Sequence, residues 1–220
     1  MKLMMVDKKR IMIFSSPRTG SSILGQHIEK RFQIPYFHEP DWGYNNSDGI
    51  NVRYWAGTKN KERVEQFTRH VMNTDDSFVG KIHIYRFRNN KFYHPYLIHY
   101  LMNSDEVFRI RIMRDDIVAQ LKSLYIAHER KRMYHFTAGM VKEFQPDYIK
   151  IRPVTISRYC RALNIVNNML RNADINFDLD LTYETLPAID NVRFVKVPRP
   201  LNDKDIEAAV IEELRKYENR

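Results

Sequence analysis

Cysteine is nearly absent from this chain of 220 residues, which carries one, Cys160. A single thiol excludes a disulfide framework and any zinc or iron–sulfur site built from several thiolates. Cys160 falls at an apolar position of a helical pattern, so it is expected to be a small core residue in a reducing, cytoplasmic compartment. Glycine (7) and proline (9) are scarce and aromatics reach 12%, which excludes collagen-like and disordered classes. No run approaches the ~20 apolar residues of a membrane span. The short apolar run at residues 3–6 is broken at once by Asp7, Lys8, Lys9 and Arg10, so no secretory signal is expected.

Positive charge is abundant: 36 Lys and Arg stand against 27 Asp and Glu, a net +9, with a pI near 9.5. That excess calls for a negative partner, and nucleic acid, a membrane surface or a polyphosphorylated small molecule would each satisfy it. Length and a 43% hydrophobic content predict one globular domain over residues 1–220.

Strand and helix periods alternate along the chain. Residues 11–15 (IMIFS) form a short apolar run, followed by a Ser-Pro turn and a helical stripe of Leu24, Ile28 and Phe32. Strands are expected at 34–37, 78–85, 107–113, 177–181 and 194–197. Helices are expected around Val64, Phe67 and Val71, over 95–102, after an N-cap at Asp115 or Asp116, around Ile156 to Leu170, and over 203–217. Residues 41–58 read as a long loop. The alternation predicts an α/β domain, P-loop-like, with a mainly parallel sheet and helices on both faces.

The densest local signal is IMIFSSPRTGSS, residues 11–22: strand, tight turn, helix start. Ligands of open α/β sheets collect where loops leave the carboxyl ends of strands, and a helix start presents N–H groups and a positive dipole end to an anion. Arg18 adds a counter-charge, Gly20 allows close backbone approach, and Thr19, Ser21 and Ser22 add hydroxyl donors. The triphosphate loop G-x-x-x-x-G-K-[ST] does not fit, because Ser21 follows Gly20 and position 15 is Ser. A second anion site is expected at Arg114, which ends a strand on the same sheet edge, with the Ser123 hydroxyl two helical turns further on. The competing account of Arg114 is an ion pair with Asp115 or Asp116.

SSPRTGSS after a first strand resembles the 5′-phosphosulfate-binding loop of sulfotransferases, in the P-R-[ST]-G-[ST] form of bacterial and viral members. RIMRDDIVAQLKSLYIA, residues 111–127, resembles that family's 3′-phosphate motif, a strand followed by R-D and a helix with a Ser nine residues after the Arg. It is nearest to the trehalose-sulfotransferase type, whose segment reads R-R-D-x-x-A-Q-x-x-S-x-x-x-A. A third match is LTYETL, residues 181–186, like the family's Y-E-x-L segment. The resemblance implies a donor, 3′-phosphoadenosine 5′-phosphosulfate (PAPS), a product, adenosine 3′,5′-bisphosphate (PAP), and an acceptor hydroxyl on a carbohydrate or small molecule. It implies donor contacts from Pro17, Arg18, Thr19, Gly20, Ser21, Ser22, Arg114 and Ser123. Tyr183 is expected to contact adenine, a core tyrosine being an equal account. Lys196 and Arg199 sit where the family has a late donor loop, without its R-K-G form.

Sulfuryl transfer to a hydroxyl needs a base and cations near the bridging oxygen. His38 and Glu39 are the candidate bases: resemblance favours Glu39, titration near neutral pH favours His38. Lys81 and His83 share one face of the third strand and are candidates for the positive charge, a solvated strand face being the competing account. Arg109 and Arg111 are expected to belong to a polar sheet face. No H-x-x-x-H pattern or cysteine pair supports a metal, so none is expected. Two other classes stay open. One is a nucleic-acid-binding module using the basic and aromatic segment 85–94 (Arg86, Arg88 and Lys91 among Tyr85, Phe87, Phe92 and Tyr93). The other is a P-loop kinase. The motifs favour the sulfotransferase, with no nucleic acid expected.

Overall fold

A computed structural model describes residues 10–38, 58–73, 76–83, 95–130, 147–188 and 198–218. Five strands, β1 (Arg10–Ser15), β2 (Tyr36–His38), β3 (Phe78–His83), β4 (Val107–Met113) and β5 (Leu179–Thr182), form one sheet in the order β2-β3-β1-β4-β5. Every pairing is parallel, with Ser15 opposite His83 on one side and Ile112 on the other. Among the described residues six α-helices accompany it: α1 (Ser21–Phe32), α2 (Thr58–Met72), α3 (Pro95–Asn103), α4 (Ile117–Glu129), α5 (Pro153–Arg171) and α6 (Asp203–Glu218). The chain is therefore an α/β fold built on a parallel sheet.

Continuous apolar runs explain the buried central strands, since crossover helices cover both faces of a parallel sheet. Met12, Phe14, Phe78 and Ile82 pack on one face against Val64, Phe67 and Val71 of α2, Leu97 and Leu101 of α3, and Leu170 of α5. Ile11, Ile13, Val79, Ile110 and Ile112 pack on the other against Leu24 and Ile28 of α1. A third cluster joins α4, α5 and α6 through Leu121, Tyr125, Ile156, Cys160, Leu163, Ile206 and Val210, which puts Cys160 in the core as its helical position foretells. Among the described residues no helix is long and apolar enough to cross a membrane.

Two strand boundaries move, and one helix cap is settled between its two candidates. The second strand begins at Tyr36 rather than Ile34, because Gln33 turns left-handed (φ 56°) to end α1, and Pro35 has no N–H for a ladder. The Pro35 carbonyl still accepts a bond from the Val79 amide at 2.9 Å. The fifth strand begins at Leu179 rather than Phe177, since the Asp178 carboxylate takes the Arg109 amide at 2.8 Å and displaces regular pairing there. Asp116, not Asp115, caps α4, accepting from the Ala119 amide at 2.8 Å. Of the loop expected at 41–58, Thr58 instead begins α2; the rest of it, the expected strand at 194–197 and the segment 85–94 lie outside the described residues.

Candidate functional site

From β1 the chain travels to β2 on one side of the sheet, and from β4 it travels to β5 on the other. Between the carboxyl ends of β1 and β4 the connections diverge, which leaves the crevice where open α/β sheets hold ligands. The two anion motifs, about a hundred residues apart in sequence, meet at this crevice. Gln120 Nε2 donates to the Pro17 carbonyl at 2.7 Å, and Arg114 Nη1 reaches the Arg18 carbonyl at 3.5 Å.

Residues 16–20 make a tight, largely buried turn. Thr19 is buried and its hydroxyl donates to the Ser16 carbonyl at 3.0 Å, so this hydroxyl shapes the loop instead of facing a ligand. Gly20, at φ 75°, is the N-cap of α1, a conformation glycine adopts without steric cost. Its carbonyl takes the Ile23 and Leu24 amides. Among the described residues no side chain caps this end, and the first turn of α1 holds no acidic residue to oppose its dipole. Arg18 is also left-handed, at φ 64°, an uncommon state for a side chain with a Cβ.

Strand β3 contributes Lys81 and His83, which are 4% exposed each. The solvated-face account of both is thereby overturned: β3 lies inside the sheet, and α1 covers the face that carries them. Lys81 Nζ donates to Ser22 Oγ at 3.2 Å, bringing its charge to the start of α1. His83 Nδ1 lies 3.0 Å from the Ser15 carbonyl and 3.3 Å from Ser15 Oγ. A carbonyl only accepts, so Nδ1 carries a proton and donates to it.

The second motif folds around Arg114, whose side chain is 14% exposed. Its guanidinium lies 4.2 Å from the Tyr183 ring centroid, and its Nε is 3.7 Å from Glu184 Oε1 without a hydrogen-bond partner among the described residues. The carboxylate beside Arg114 is thus Glu184 rather than Asp115 or Asp116, whose backbone amides both point at Glu184 (3.2 and 3.4 Å). Tyr183, half-buried, lends one face to the guanidinium. Ser123 accepts from Arg18 Nε at 2.9 Å. Arg18 therefore lies between Arg114 and Ser123.

Beneath the loop, and not anticipated from the sequence, is a buried amide pair. Gln120 Nε2 also donates to Ser16 Oγ at 3.0 Å, while Gln120 Oε1 accepts from Asn167 Nδ2 of α5 at 3.2 Å. A polar residue three positions after Ile117 and four before Leu124, inside an apolar helical stripe, is the signal that marks it. Arg111 keeps the expected polar sheet face, whereas Arg109 departs from it by being buried. Arg109 bonds the Leu101 carbonyl at 3.1 Å, and Arg111 pairs with Asp180 at 2.6 Å. Arg199 is 84% exposed beside Asp203, and the structure leaves it in solvent. His38 ends β2; its side chain, Glu39 and Lys196 lie outside the described residues.

No family model matches the chain, and no curated protein does. Among solved structures, the crystal structure of an uncharacterized protein from Eubacterium ventriosum aligns over 96% of this chain and 99% of that one. Identity is 9% and the TM-score 0.37, a likeness too loose to carry an activity. What the chain's own geometry defines is a parallel α/β protein with Arg18 and Arg114 together at its topological switch point and Lys81 at the start of α1.

Proposed function

We propose that the protein is a sulfotransferase that moves a sulfuryl group from PAPS to a hydroxyl of a carbohydrate or small molecule. The observation that carries this reading is the bond from Arg18 Nε to Ser123 Oγ, with Arg114 on the Arg18 carbonyl. It joins the two motifs that resemble the family's phosphate sites, and a nucleotide phosphorylated at both ends needs two anion sites within one crevice. The kinase alternative keeps the strand–loop–helix but has Ser21 where its lysine belongs.

In this reading the start of α1 and Lys81 surround the 5′-phosphosulfate. As the acceptor oxygen bonds to sulfur, the bond from sulfur to the bridging oxygen breaks, and that oxygen leaves with PAP carrying new negative charge. Lys81, held at Ser22 in a buried position, offsets that charge where water would not screen it. The acceptor proton goes to a base. Glu39 and His38 hold that role by their place in the sequence. His83 is a third candidate, its ring oriented by the Nδ1 contact with the Ser15 carbonyl at 3.0 Å.

Incubation with sulfur-labelled PAPS and a panel of sugars and phenols tests the proposal. Acceptor-dependent label transfer with release of PAP is expected. Label that stays on the donor with every acceptor, together with no binding of PAP, would reject it.

A further inference from the structure

We propose that Arg18 is a ligand of the donor's 3′-phosphate and sets specificity for it, instead of facing the 5′-phosphosulfate as its place in the loop first suggests. The inference rests on the functional reading above. Three features of the crevice point this way. The left-handed backbone of Arg18 (φ 64°) turns its side chain toward α4, where Nε donates to Ser123 Oγ at 2.9 Å. Ser123 belongs to the strand-and-helix motif that carries Arg114, and Arg114 Nη1 reaches back to the Arg18 carbonyl. The 5′ end already has its own cation, since Lys81 Nζ sits on Ser22 in the first turn of α1, where no acidic residue opposes an anion.

Charge supports the same division. A 3′-phosphate monoester carries about −1.5 to −2 at pH 7 and accepts through three oxygens. One guanidinium leaves such a group under-neutralised. Two guanidiniums and a hydroxyl match it, in the forked geometry that arginine offers a phosphate. Glu184, 3.7 Å from Arg114 Nε, reduces the charge Arg114 alone supplies, which makes a second cation at this site necessary. Arg18 is that cation.

The test is calorimetric titration of PAP and of 5′-AMP into wild type, Arg18→Gly and Arg18→Lys. Glycine accepts the positive φ, so the loop keeps its shape without the guanidinium. Retained binding of 5′-AMP reports that the site has folded. Arg18→Gly should weaken PAP by about 10- to 150-fold, the worth of a charge-assisted hydrogen bond, and leave 5′-AMP within about threefold. Arg18→Lys should fall between the two, since a point charge cannot bond Ser123 and phosphate as a fork does. If PAP and 5′-AMP weaken by the same factor, Arg18 serves the 5′ end and the proposal is overturned while the sulfotransferase reading stands. If neither weakens, Arg18 is no ligand at all. A wild type that does not distinguish PAP from 5′-AMP overturns both readings together.

Discussion

Replacing Gln120 by Leu should loosen the anion loop from beneath and cost stability at the same time. Gln120 is fully buried, and its side chain serves three groups: Ser16 Oγ (3.0 Å), the Pro17 carbonyl (2.7 Å) and Asn167 Nδ2 (3.2 Å). Leucine fills a similar volume and meets none of them. A buried polar group left unmet costs ~1–3 kcal/mol; Ser16 Oγ loses one donor but keeps its own O–H, so the Pro17 carbonyl and Asn167 Nδ2 carry the main penalties, about 3 kcal/mol in all. Asn167→Leu should behave differently. It strands only Gln120 Oε1 and also removes Asn167 Oδ1, a buried acceptor with no partner among the described residues. Its net cost is therefore expected within ~1 kcal/mol, because one loss offsets the other. The double variant should cost less than the sum of the two, since Asn167 Nδ2 is no longer left unmet. Urea denaturation of the four proteins gives these differences, and PAP titration reads the loop. A Gln120→Leu protein as stable as wild type, binding PAP equally well, would refute the claim that this amide holds the loop.

Arg114→Ala should abolish most of the preference for PAP over 5′-AMP and leave 5′-AMP binding nearly unchanged, as paired titrations would show; a surviving preference would place the 3′-phosphate elsewhere. For the base, Glu39→Gln, His38→Ala and His83→Gln should separate in turnover with labelled PAPS. The residue that takes the proton should cost about 10²–10⁴-fold in kcat with PAP affinity preserved, and normal turnover in all three would refute every candidate. Burial, with Glu129 nearby, pushes the Tyr159 phenol well above its ordinary value, and its hydroxyl has no hydrogen-bond partner among the described residues. The raised group favours the neutral phenol in the fold, so its contribution is intact below about pH 10 and lost as pH climbs beyond that. Tyr159→Phe should thus stabilise by ~1 kcal/mol at pH 7 and flatten the alkaline loss of stability in urea titrations; a destabilised variant would contradict the unpaired hydroxyl.

Periodicity marked β1 and β4 well because both lie inside the sheet and carry apolar runs with clear ends. It misplaced β2 where Pro35 withholds an N–H, and β5 where the Asp178 side chain replaces the ladder. The same period-2 reading put Lys81 and His83 on a common face, correctly, yet did not show that face to be buried. Burial there depends on β3 pairing with both β1 and β2 and on α1 lying across it, and the strand order is not written in the strand itself. Arg18, Arg114 and Ser123 were singled out by their local strand-to-helix settings, and the fold brings the three together. Their partners were not: Glu184 is 70 positions from Arg114 and Asn167 is 47 from Gln120, so only the assembled fold brings them together.

The most direct test of the account is calorimetric titration of the wild-type protein with PAP in the presence of a chelator, alongside ATP with magnesium and a single-stranded oligonucleotide. Two anion sites at one crevice predict stoichiometric, magnesium-independent binding of PAP, at least about tenfold tighter than 5′-AMP, a difference of ~1.4 kcal/mol. ATP with magnesium should bind more weakly than PAP. Tighter binding of ATP with magnesium, or binding of the oligonucleotide alone with a steep salt dependence, would contradict it.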